Sequence, residues 1–283
     1  MTGLAAVVVN HDAGDVLCAC VASLRAGGVA EVIVVDNASS DGSVESLLAQ
    51  DPDVHLVRTR ANLGYGSGAN RGLAAAHRDY VLVSNPDVAV HAGALDTLSR
   101  VLDADPSIAI AGPCIREPDG SRYPSARQFP SMADAAGHAL LGQLAPENRF
   151  SRRYRMRELD PVATTPVDWV SGACFLARRE ALEELGGFDE GYFMYVEDVD
   201  LCWRAHRAGW GVVFAPDAEV THLQGISTAR RPYRMLVAHH LSAFRFAART
   251  STGARRLLLP GVALVLGLRL AMAVGKQAGR SLR

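Results

Sequence analysis

Four apolar runs rich in β-branched residues, at 4–9, 31–35, 54–59 and 80–84, alternate with helical stretches across the first hundred residues. Helices are read at 15–25, closed by Gly27-Gly28, at 43–50, entered through the Asp41-Gly42-Ser43 turn, and at 68–76. No other feature constrains the fold as strongly. Strands apolar along their whole length need cover on both faces, and strand–helix–strand repeats pair in parallel through right-handed crossovers. An α/β architecture follows, Rossmann-like, with a mostly parallel sheet flanked by helices. Ligands of such sheets sit beyond the carboxyl ends of the strands, so the polar clusters there are where chemistry is expected.

Further on, a helix is read at 92–103, strands at 108–113 and 169–178, and a helix at 179–185 stopped by Gly186-Gly187. A helix at 198–208 and strands at 212–214 and 218–222 complete the body. Residues 114–165, rich in Pro, Gly, Ser and Arg, read as a long excursion around an acceptor site.

Charge divides the chain. Residues 226–283 carry eleven basic side chains and no Asp or Glu, leaving 18 basic and 30 acidic residues in 1–225. An acidic body with a basic tail gives no support to nucleic-acid binding. Residues 257–274 hold one charge, Arg269, and would reach ~27 Å as a helix, the lower limit for spanning a bilayer. With Arg255, Arg256, Lys276 and Arg280 flanking it, this segment reads as membrane-associating, lying on the bilayer or crossing it. The alternative is an amphipathic helix packed on a partner chain. No signal peptide is read at the start, and five cysteines without a C-x-x-C are expected to be reduced thiols of a cytosolic compartment.

Four clusters and one histidine carry candidate chemistry. Asp36 ends an apolar strand and could accept hydrogen bonds from a base or ribose, or merely cap the next turn. Glycines 64, 66 and 68, in NLGYGSGANRG (62–72), would let backbone approach a ligand and a helix start offer N–H groups to phosphate. The spacing fails G-x-G-x-x-G because Ala69 stands at the third position, which disfavours a dinucleotide oxidoreductase. Asn85-Pro86-Asp87 offers hard oxygen ligands suited to Mg²⁺ or Mn²⁺ on a diphosphate, although such a turn is often only a turn. Glu197, Asp198 and Asp200 open a helix behind Phe188, Tyr192, Phe193 and Tyr195, and a carboxylate there could take a proton from an attacking hydroxyl. His222 ends a strand.

In their order and spacing these pieces resemble inverting glycosyltransferases of family 2, with the GT-A fold, over about residues 4–228. The resemblance rests on VVDNASSDGS (34–43), NLGYGSGANRG (62–72), SNPDV (84–88), GGFDEGYFMYVEDVDLCWRAHRAGW (186–210) and VTHLQGIST (220–228). It implies a catalytic domain at 1–228, divided into a nucleotide-sugar half (1–112) and an acceptor half (113–228), with 229–283 as a basic helical region. It further implies Asp198 as general base and Asp36, Asn62, Gly64, Asn70, Arg71 and Asn85 along the nucleotide sugar. Asp87 and His222 would hold a divalent metal, Mg²⁺ or Mn²⁺, although Asn85 replaces the first Asp of the family's D-x-D. Within the family, YPSARQFPS (123–131), GHAL (137–140), PENRFSRRYR (146–155), STARRPYRML (227–236) and VAHH (237–240) resemble actinobacterial rhamnosyltransferases of cell-wall linker synthesis.

That likeness implies dTDP-L-rhamnose as donor and decaprenyl-diphospho-N-acetylglucosamine as acceptor, at the cytoplasmic side of the membrane. Trp169, Glu197, Arg230, Arg231, His239 and His240 are placed on the acceptor. A homo-oligomer stays open. Other family members use UDP-galactofuranose or UDP-glucose with the same nucleotide and metal residues, so the sugar rests on resemblance alone. A silent nucleotide-sugar binder on a membrane is the rival from another class, favoured only by Asn85.

Overall fold

The computed structural model describes residues 3–129, 163–223 and 232–281. The expected motif GHAL and the run PENRFSRRYR, with Arg230 and Arg231, lie outside them. Strands β1 (Leu4–Asn10), β2 (Glu31–Asp36), β3 (His55–Arg58) and β4 (Tyr80–Ser84) alternate with helices α1 (Val16–Ala26), α2 (Ser43–Gln50) and α3 (Tyr65–Leu73). There follow β5 (Val88–Val90), α4 (Ala94–Ala104), β6 (Ile108–Arg116), β7 (Ala126–Arg127), β8 (Thr165–Pro166) and β9 (Trp169–Val170). Next come β10 (Cys174–Arg178), α5 (Arg179–Glu184), α6 (Glu197–Ala208) and β11 (Gly211–His222), then α7 (Pro232–Thr250) and α8 (Leu259–Ser281).

Nine strands form one sheet in the order β3-β2-β1-β4-β10-β6-β11-β5, with β8 added on β11, while β7 and β9 pair separately. The sheet is mostly parallel, as the alternation of elements requires. Within it β10 runs antiparallel to both β4 and β6, and β5 and β8 run antiparallel to β11. Alternate residues of each strand enter two cores. Val7, Val9, Ile33, Val35, Val81 and Val83 pack on one face with α3 and α6, and Ala6, Val8, Val32, Val34 and Leu82 face α1, α2 and α4 on the other. Two covered faces explain why the strands read as unbroken apolar runs.

Three local expectations change. The run at 169–178 is broken at 171–173, because Gly172 turns its peptide toward α6 rather than along the sheet. Residues 211–222 form one strand with a bulge between Ala215 and Glu219, where two strands were expected. Helix α3 begins at Tyr65, three residues early, since Gly64 with φ +88° supplies the entry turn. The short β5 was not anticipated at all.

The tail is helical, as its composition suggests. The segment Gly253–Gly279 has a mean hydropathy of 2.2 over its most apolar window, none of which is buried, and among the described residues it alone is long and apolar enough to cross a membrane. α8 packs along α7. All five cysteines are free.

Candidate active site

The strand register brings the polar ends of β1, β2 and β3 into one row, Asn10 beside Asp36 and Asp36 beside Arg58. Asp36 is buried, accepts the Ser39 N–H at 2.9 Å and faces the Arg58 guanidinium at 3.5 Å. Its neighbour Asn37, which the sequence did not single out, ties the loops together. Asn37 Oδ1 accepts from the Leu63 N–H at 2.9 Å, while its Nδ2 donates to the Gly64 carbonyl at 2.9 Å and to Asn62 Oδ1 at 3.2 Å. Asn10, also missed, donates to Ser39 and Ser43 hydroxyls at 3.0 Å and leaves a buried Oδ1 without a partner. The signal available for both was an amide at the carboxyl end of an apolar strand.

Glycines 64, 68 and 72 of the motif at 62–72 let other parts of the protein approach closely. A Cβ on Gly64 would lie 2.1 Å from the Phe193 carbonyl oxygen, one on Gly68 2.9 Å from Val9, and one on Gly72 2.3 Å from Val7. α3 thus lies directly on β1, and its first residue ties it to the loop before α6, the Tyr65 N–H donating to the Phe193 carbonyl at 3.0 Å. Asn62, Asn70 and Arg71, expected along the nucleotide, are also engaged by protein groups. Asn62 Oδ1 accepts from the Gly64 N–H at 2.9 Å. Asn70 accepts from the Phe188 N–H at 2.8 Å and donates to its carbonyl at 2.9 Å, and Arg71 stands 3.6 Å from Glu190.

Asn85, Asp87 and His222 meet as expected. His222 Nε2 lies 3.1 Å from Asp87 Oδ1 and 3.2 Å from Asn85 Nδ2, because β5 pairs Val88 with His222. Three polar groups around one point need a proton or a cation between them. An oxygen and an imidazole nitrogen suit Mg²⁺ or Mn²⁺, and the buried Nδ1 of His222 has no partner. No group of three His, Cys, Asp or Glu converges among the described residues, so these two side chains would need diphosphate oxygens to complete a metal's coordination.

Asp198 is the best-defined carboxylate. Oδ2 accepts the Gly172 N–H at 2.7 Å and Oδ1 the Val199 N–H at 2.8 Å. The Gly172 peptide is held from its other side by Tyr65, whose hydroxyl donates to the Gly172 carbonyl at 2.6 Å. One residue on, the Ala173 carbonyl accepts from the Asn85 N–H at 2.8 Å, linking the segment that holds Asp198 to the Asn85–Asp87 turn. Burial holds the Asp198 carboxyl above its usual range, against the pull of those N–H groups and of the Arg127 charge. Tyr195 and Val196 both have positive φ, 68° and 71°, which turns Glu197 inward and Asp198 toward the cleft.

The acceptor expectations fare less well. Glu197 is 5% exposed, so it faces Asp198 and the core rather than an acceptor, and burial followed by the Asp198 charge pushes its carboxyl up to about 8. Trp169 is 6% exposed, donates to the Gln128 carbonyl at 3.1 Å, and carries the Arg127 guanidinium over its ring at 5.0 Å. Its burial leaves little ring surface for a sugar to stack on. His240 is buried with Nδ1 on the Leu236 carbonyl at 2.7 Å, whereas exposed His239 stacks edgewise on Tyr195 at 5.4 Å.

Known proteins were compared against this geometry. A family model described as "Glycosyltransferase like family 2" matches residues 2–236. The N-acetylglucosaminyl-diphospho-decaprenol L-rhamnosyltransferase of Mycobacterium tuberculosis is 44% identical over 233 residues, 78% of this chain and 76% of its own. A rhamnosyltransferase of Escherichia coli is 29% identical, over 65% of this chain and 71% of its own. Among solved structures, a Pyrobaculum calidifontis mannosyltransferase in complex with GDP-Man and Mn²⁺ superposes with a TM-score of 0.60 at 17% identity, covering 100% of this chain and 81% of its own. GalNAc-T7 with UDP, GalNAc and Mn²⁺ gives 0.60 at 15% identity, covering 92% and 53%. These two likenesses speak for the GT-A-like fold. With a family model spanning most of its length and a carboxylate held at the helix start that its motifs marked, the chain belongs to glycosyltransferase family 2.

Proposed function

We propose that the protein transfers L-rhamnose from dTDP-L-rhamnose to N-acetylglucosaminyl-diphospho-polyprenol, with inversion, at the cytoplasmic face of a membrane. The observation that carries this reading is the 44% identity to a relative named for that acceptor and that sugar. Residues 1–228 would be the catalytic unit, its donor half at 1–112 and acceptor half at 113–228, with 229–283 at the membrane.

The geometry supports one displacement. The acceptor hydroxyl oxygen forms a bond to the anomeric carbon as the bond from that carbon to the dTDP oxygen breaks, and Asp198 takes the hydroxyl proton. Each Asp198 oxygen accepts one N–H, leaving a lone pair for that proton, and the raised carboxyl pKa makes it a better base near neutrality. The Gly172 N–H fixes the direction of this carboxylate in the first turn of α6. Asp87 and His222, with Asn85 beside them, would hold a divalent metal, whose charge would offset that of the diphosphate leaving group.

The test is turnover by the full chain of dTDP-L-rhamnose against UDP-glucose, UDP-galactofuranose and GDP-mannose, on a prenyl-diphospho-N-acetylglucosamine, with Mg²⁺, Mn²⁺ or EDTA. Product from dTDP-L-rhamnose, lost in EDTA, is the expected result. Faster turnover of another donor would overturn the sugar assignment, and full activity in EDTA the metal assignment.

A further inference from the structure

Apart from the carboxylate cluster, the protein has a groove of about 270 Å³ between the loop before α6, at Gly191 and Phe193, and Ala238, Leu241, Ser242 and Arg245 of α7. These α7 residues recur at three, four and seven positions, which is one face of a helix. That face is fastened to the loop. Ser242 Oγ donates to the Met194 carbonyl at 2.9 Å, Arg245 reaches the Asp189 carboxylate at 3.0 and 3.2 Å, and Arg249 pairs with Asp189 and, at 3.2 Å, with the fully buried Asp200.

Asp189 is thus shared by Arg245 and Arg249, and the Arg234 guanidinium lies 4.4 Å over the Phe193 ring, so cations rim the groove while Phe193, Ala238 and Leu241 give it apolar surface. Leu241 stands 64% exposed at its edge, preceded at four-residue spacing by exposed Val237 and Tyr233. On α8, packed alongside, Leu264, Leu268 and Met272 repeat the same spacing in the segment suited to a bilayer. The opposite wall belongs to the segment that carries Asp198: the Phe193 carbonyl accepts from the Tyr65 N–H, and the Tyr65 hydroxyl holds Gly172, whose N–H donates to Asp198. A groove with apolar walls, rimmed by Arg234 and Arg245 and continuous with the exposed apolar faces of α7 and α8, suits a hydrocarbon chain that carries a diphosphate.

We infer that this groove seats the isoprene units next to the diphosphate of a polyprenyl-diphosphate acceptor, an inference that rests on the acceptor class proposed above. The seat would let the lipid stay at the bilayer surface while its sugar reaches Asp198.

The test uses the full chain in detergent micelles and a benzophenone-bearing farnesyl diphosphate, which carries no sugar, so labelling does not depend on transfer. Light should label the peptides bearing Phe193 and residues 237–245. Unlabelled farnesyl diphosphate should compete and phosphatidylglycerol should not. Leu241→Glu, at an exposed position where folding is safe, should cut labelling about tenfold. Label confined to α8, or displaced equally by phosphatidylglycerol, would overturn the seat. Transfer to a prenyl-linked acceptor without groove labelling overturns the seat alone. Specific groove labelling by an enzyme that glycosylates no prenyl-linked acceptor supports the seat and overturns the reaction.

Discussion

Glu197→Gln tests how the site handles charge. Glu197 is buried at the start of α6, its Oε2 has no partner, and burial with the Asp198 charge raises its carboxyl to about 8 from a usual 4.5. Between those two values the native protein keeps a proton that the unfolded chain has released. Stability therefore falls as pH rises through that window, by up to about 1.4 kcal/mol per pH unit. Below 4.5 both states are protonated and the group is neutral to stability, and above about 8 the penalty is constant. The ceiling across the window is ~5 kcal/mol, and relaxation of the loop with entry of water reduces it to ~2–3 kcal/mol. Glutamine keeps the shape and cannot ionise. Its buried amide adds a cost of its own, but that cost is the same at every pH and cancels in the comparison. Urea unfolding of both proteins from pH 4.5 to 8 should show the variant gaining ~2–3 kcal/mol on the wild type toward the alkaline end. Transfer near neutrality should largely survive, because the native enzyme carries the neutral acid there. A stability difference that stays flat with pH would refute the argument.

Four other outcomes follow from the structure. Asp198→Asn should lower kcat by about 10²–10⁴-fold while dTDP binding, followed by calorimetry, stays near the wild-type value. In the wild type the acid limb of the kcat profile should lie above the usual aspartate value of 3.8, with transfer falling as pH drops through the raised pKa. His222→Ala should weaken Mn²⁺ activation ~10–100-fold, partly rescued by excess metal; an unchanged metal titration would remove His222 from the site. Gly28→Ala and Gly64→Ala separate strain from collision: φ is +83° and +88°, but only at Gly64 does a Cβ meet backbone. Urea unfolding should cost ~1–2 kcal/mol at Gly28 and ~3 kcal/mol or more at Gly64, and equal costs would deny the contact with Phe193.

The alternating apolar runs fix strand, helix and buried face, because each is a matter of local pattern, and residues 31–36, 43–50 and 80–84 adopt what their pattern dictates. Asp36, Asp87, Asp198 and His222 could be picked out for a related reason: a polar residue at the end of a buried strand or the start of a helix stands out against its neighbours. What the pattern does not contain is partnership between distant segments. Gly172 reads as the middle of an apolar strand, yet its peptide is turned out of the sheet to hold Asp198, 26 residues away. Asn70 lies in a glycine-rich motif, and nothing in that motif shows that it clasps Phe188, 118 residues away. Trp169 and Glu197 read as surface for an acceptor, yet both lie buried, since burial is set by what packs above a residue and not by its type. The sequence thus determined the sheet, its helices and which carboxylates are poised at strand and helix ends. Only the tertiary structure decided which glycines make room for protein, how α7 is stapled to the catalytic loop, and how far Glu197 is cut off from water. Those depend on distances between chain segments, which local periodicity does not encode.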